Sequence, residues 1–134
     1  MKKWFTRLIL ISGFYDLIMA IVFIFATPLV SVLVNYSLTP LEGALLQIIG
    51  AFFLGFGIAL VVASRSLDQL LIIPVSNIPA RLIASIIVVY YVLVWGIPFS
   101  LIWFGIIDAV LAILFTSFIL ASKDYSFSWA FRRS

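Results

Sequence analysis

Four stretches of the sequence, residues 8–26, 41–63, 80–95 and 99–121, run almost wholly apolar between charged residues or prolines. A helix needs about 20 such residues to cross a hydrocarbon core of about 30 Å, and inside that core every backbone N–H and C=O must be bonded internally. The stretches therefore predict an all-α integral membrane protein, with four transmembrane helices in an antiparallel bundle. They fill a single domain over residues 1–134, whose last part, 122–134, forms a tail. Pro40, Pro79 and Pro98 stand at or just before the starts of the last three spans, where a missing N–H leaves nothing unpaired. The third span is the shortest, unless it borrows from the LLII run ahead of Pro74. With 66% hydrophobic and 10% charged residues and a mean hydropathy of +1.33, the chain falls far below the roughly 25% charge of soluble domains. No separate soluble catalytic module fits.

The basic residues give the direction. Lys2, Lys3 and Arg7 precede the first span, Arg65 and Arg81 flank the loop between spans two and three, and Lys123, Arg132 and Arg133 follow span four. The other two connections, 27–40 and 96–98, contain none. Positive residues accumulate on the cytoplasmic side, so both termini are expected there, in a prokaryotic cytoplasmic membrane. The opening MKKWFTRLILISGF has the basic start of a signal peptide, but its apolar run is too long and contains Asp16, which favours a retained first helix. Trp4, Phe5, Tyr36, Trp95 and Trp129 are expected at the headgroup layer, and the tail DYSFSWAFRRS against anionic lipid. TPLVSVLVNYS is too short to cross and reads as an interfacial helix or an extension of span one; LDQLLIIPVSNIP has the same character.

Span two carries Gly43, Gln47, Ala51, Gly55, Ala59 and Ala63, a four-residue ladder expected to pack against a neighbour. Phe14, Phe23, Phe25, Phe104 and Phe115 are expected to face lipid.

The candidate site comes from two related stretches, GFYDLIMAIVF at 13–23 and GIIDAVLAILF at 105–115, each with an aspartate inside an apolar run. Asp16 has Ser12 and Ala20 at i−4 and i+4; Asp108 has Ala112 and Thr116 at i+4 and i+8. These stripes should face the interior, because a carboxylate among acyl chains costs about 2.5–3.5 kcal/mol on the insertion scale. No Lys, Arg or His lies between the expected helix ends, so the acids are expected to share an interior without a positive partner, at least one of them protonated. Asp16, Asp108, Gln47, Ser12 and Thr116 are the candidates for binding a proton or a small lipophilic ligand. Whether the two acids touch stays open. The chain has no cysteine or histidine, so no haem, iron–sulfur cluster or zinc is expected, and no nucleic-acid partner.

With four short-looped spans, GFYD in the first, LQIIGAFFLGFGIAL in the second and GIID in the fourth, the chain resembles the DoxX-like group of small membrane proteins, including its BphX-like branch. The likeness runs over about residues 7–121. It implies a four-helix architecture and a link to membrane redox systems, among them a thiosulfate:quinone oxidoreductase. It assigns no catalytic residue.

Three readings stand. One is a protein binding a proton or lipophilic molecule, accessory to a quinone-linked system. Another is a non-catalytic subunit of a larger membrane complex, or a homo-oligomer. The last is a proton-coupled small cation transporter of the small multidrug type, although the one-sided charge argues against dual topology. An enzyme acting on lipid has least support, since no nucleophile–base pair is visible.

Overall fold

The computed structural model describes residues 2–96 and 99–121. Pro98, Lys123, Trp129, Arg132, Arg133 and the tail 122–134, all given places above, lie outside the described residues. Among the described residues every regular element is helical: α1 (Lys2–Phe25), α2 (Thr27–Val34), α3 (Pro40–Arg65), α4 (Leu67–Leu70), α5 (Ile72–Trp95) and α6 (Ile102–Ala121), with a short 3-10 turn at Phe99–Leu101. Four of them, α1, α3, α5 and α6, are long and apolar enough to cross a membrane. Ile48, Phe52, Ile86, Leu93 and many similar side chains are exposed, a surface suited to acyl chains and unsuited to water.

Local chemistry explains most boundaries. Pro40 opens α3 behind a capping box in which Glu42 N–H donates to Thr39 Oγ1 at 3.2 Å and Thr39 N–H donates to Glu42 Oε1 at 3.1 Å. The segment after span one forms its own helix, α2, closed by Asn35 at φ +52°. Gly96 closes α5 at φ +67°, where its N–H donates to Tyr91 O and a side chain would be strained.

The third span takes the longer of its two readings. It begins at Ile72, within the LLII run ahead of Pro74, rather than near residue 80, and Pro79 sits inside it. Proline cannot supply its helical N–H, and Pro79 itself is exposed, but Val75, Asn77, Ile78 and Arg81 around it are buried and hold the helix through that loss. The LDQLLIIPVSNIP segment is thus mostly α4 and the start of α5. Leu67, Leu71, Val75 and Ile78 are buried against Phe5, Ile9, Leu60, Phe115 and Ile119, closing one end of the molecule.

The helices associate as two pairs, α1 along α3 and α5 along α6, with sparser seams between the pairs. Gly57 lies against Gly13 and Leu17, whereas Gly50 lies against Ala20, Phe23 and Ile24, so α1 and α3 run in opposite directions. Gly105 sits beside Ser85 and Val88, four residues and more beyond Arg81, which meets Asp108; α5 and α6 are also antiparallel.

Packing corrects the ladder expected on α3. Gly43 and Gly55 have open space where a side chain would go, and Ala51 and Gln47 are exposed; the close contacts fall at Gly50 and Gly57. The reason is geometric. At 3.6 residues per turn a four-residue step drifts by about 40°, so five steps wind more than halfway round the helix, while a seven-residue step drifts only about 20°. Two further expectations fail on burial: Phe23 and Phe115, assigned to lipid, are 7% and 0% exposed, and Phe5, assigned to the interface, is 1% exposed. Phe23 meets Phe53 and Phe104 edge-on at one end, and Phe5 meets Phe115 edge-on and stacks on Phe118 at the other. Trp4, Tyr36, Trp95, Phe14 and Phe25 are exposed as expected.

Candidate functional site: an arginine between two aspartates

On α1 the buried positions Phe5, Ile9, Ser12, Asp16, Ala20 and Phe23 recur every three or four residues, one helical face. This face delivers Ser12 and Asp16, 0% and 1% exposed, into the interior. The equivalent face of α6 carries Gly105, Leu111, Ala112, Phe115 and Ile119, with Asp108 beside it. The stripe Ser12, Asp16 and Ala20 is buried as expected, whereas of Asp108, Ala112 and Thr116 only Ala112 is fully buried.

The environment of the two acids departs from expectation. Arg81 lies between them. The sequence pattern sets it at the edge of span three, flanking the loop, but nine residues into α5 it sits about 14 Å from the helix start at 1.5 Å per residue. Its Nη2 donates to Asp16 Oδ2 at 2.8 Å and to Ser12 Oγ at 2.8 Å, its Nη1 donates to Asp108 Oδ1 at 2.7 Å, and its Nε donates to Asn77 Oδ1. The expectation of two acids without a positive counterpart is therefore overturned. The acids do not need to touch, because a planar guanidinium presents donors in a rigid fork and bridges them. Arg81 is 5% exposed, and the Asp108 side chain is 14% exposed.

Sequence reasoning missed Arg81 and Asn77. Asn77, Arg81 and Ser85 recur every four residues and are all buried, a polar stripe as legible as those around the acids. Reading Pro79 as a helix start cut that stripe in two.

Of the five candidates, the structure brings together Ser12, Asp16 and Asp108. Gln47 lies elsewhere: its Nε2 donates to Ile24 O at 3.1 Å, tying α3 to the end of α1. Thr116 donates to Ala112 O of its own helix at 2.8 Å. Neither reaches Arg81.

One buried atom is left over. Asp16 Oδ1 has no hydrogen-bond partner among the described residues. Asp16 also lines a cavity of about 170 Å³, shared with Arg81, Asp108 and Asn77 among polar residues, and with Ile49, Phe52, Phe53 and Phe56 of α3 and Ala80 and Ala84 of α5 among apolar ones. The cavity occupies the seam between the two helix pairs. Ile49, Phe52 and Phe56 are 46%, 62% and 47% exposed, so the cavity opens sideways, toward where lipid would be, and not only toward a helix end. Among the described residues no group of His, Cys, Asp and Glu is placed to hold a metal ion.

Compared with known proteins, the chain matches no family model, no curated protein and no solved structure. The functional reading rests on the chemistry of the site.

Proposed function

We propose that this protein is a small four-helix membrane protein that binds a small lipophilic molecule beside the Asp16–Arg81–Asp108 cluster. The observation that carries the reading is the cavity itself: a mostly apolar space with a few convergent polar groups, the usual composition of a ligand site. Here the cluster lines an open space that a lipid-soluble molecule can enter from the bilayer.

In this reading the four long helices form an antiparallel transmembrane bundle with both termini cytoplasmic, as the placement of basic residues supports. The DoxX-like resemblance extends the proposal to an accessory role in a quinone-linked membrane redox system of a prokaryotic cytoplasmic membrane.

Native mass spectrometry of the chain released from nanodiscs tests the reading. The wild-type protein is expected to retain a small molecule lighter than a phospholipid, and Ala84→Phe, which fills the cavity, to lose it. Equal spectra for the two proteins, with no bound species in either, would refute ligand binding. Stoichiometric copurification of other membrane subunits without a bound small molecule would assign the protein instead to a docking role in a larger complex.

A further inference from the structure

Resting on the ligand-binding reading above, we infer that the cavity selects a small lipophilic cation, a protonated amine on an apolar body about the size of one aromatic ring. Three independent features of the site converge on positive charge. The first is the charge sum. Arginine stays protonated in proteins, and two ionised carboxylates around one guanidinium leave one negative charge in excess. A single added positive charge, from a proton or a monocation, balances it.

The second is the unpaired acceptor. Asp16 is 1% exposed and lines the cavity, yet its Oδ1 accepts from nothing among the described residues. A buried carboxylate oxygen without a donor is costly, and the group that relieves it must carry an N–H or O–H. Arg81 donates to Ser12, Asn77 and one oxygen of each acid but not to this one, and the open space that Asp16 lines is the cavity.

The third is the aromatic lining. Phe52, Phe53 and Phe56 line the same cavity as the acids, and the faces of phenyl rings attract cations, ammonium groups included. An anion would find both the ring faces and the excess charge unfavourable. Size follows from volume: an engineered apolar cavity of about 150 Å³ binds benzene, and this one is about 170 Å³.

The proton competes for the same excess charge. The titratable groups around the site are Tyr15 and Asp16 on α1, Arg81 on α5 and Asp108 on α6. The contacting stretch of α3 supplies none, since its ionisable residues, Glu42 and Arg65, lie at its two ends.

Calorimetric titration of the full chain in nanodiscs, corrected with empty nanodiscs, compares three probes of one size: benzylammonium, benzyl alcohol and benzoate. Benzylammonium is expected to bind saturably, at least about tenfold more tightly than benzyl alcohol, with its affinity falling as the pH is lowered, and benzoate not at all. Asp16→Asn should erase the preference for charge. Phe52→Leu, at an exposed and structurally tolerant position, should weaken benzylammonium about two- to fivefold while leaving benzyl alcohol unchanged. Benzyl alcohol or benzoate binding as well as benzylammonium overturns the cation preference and leaves the lipophile-binding reading standing. Saturable binding of none of the three overturns both.

Discussion

Arg81 determines whether the interior of this protein is stable. Removing one partner from a buried ion cluster strands charge in a medium that cannot solvate it, a loss of about 3–5 kcal/mol. Arg81→Met is therefore expected to destabilise the protein by that amount, read as a lowered thermal midpoint in nanodiscs. Adding Asp16→Asn and Asp108→Asn to Arg81→Met should recover most of the loss, because the stranded carboxylates go with the cation. Arg81→Lys should not rescue, since an ammonium on a flexible stem cannot reproduce the fork to Ser12, Asn77, Asp16 and Asp108. A wild-type midpoint for Arg81→Met would show that the cluster contributes nothing. At this scale the acids were legible in the sequence, because a carboxylate in an apolar run has few places to go. The arginine was not, because its position relative to the bilayer depended on where one helix began.

At the scale of the element, α3 separates sequence pattern from packing. Its small residues every four positions looked like one contact face, yet a Cβ on Gly57 would come within 2.9 Å of Gly13 O and 2.8 Å of Leu17, while a Cβ on Gly55 would meet nothing within 4 Å. Gly57→Ala should therefore force α1 and α3 apart and destabilise by about 1–3 kcal/mol, the usual range for overpacking. Gly55→Ala should be neutral or slightly stabilising, as helix propensity alone dictates. Unfolding of both variants in mixed micelles decides this, and equal effects would contradict the observed face of α3. The start of α5 tells the same story. Proline biases a helix to begin near it, but Leu71, Val75 and Ile78 bury enough apolar surface beneath the preceding turns to carry the helix through Pro79.

Across the whole molecule, two apolar clusters grip the helix pairs at opposite ends, and the ion cluster and cavity lie between them. The antiparallel run of both pairs puts the α2–α3 connection at the end opposite the α3–α4 connection. Because the chain contains no cysteine, single cysteines report orientation cleanly. Ser37→Cys is expected to react with an impermeant maleimide from outside intact cells, and Ser66→Cys only after lysis; the reverse pattern would invert the topology. The sequence by itself determined that four apolar helices form, roughly where they lie, and that Asp16, Ser12 and Asp108 turn inward. Length, hydropathy and helical periodicity are local quantities that each segment carries alone. Only the tertiary structure decided that Arg81 joins those acids, that Gly50 and Gly57 rather than the four-residue ladder make the close contact, and that a cavity opens beside Asp16. Each of these depends on which helix lies against which and at what rotation, and that choice is set by the combined packing of several segments far apart in the chain.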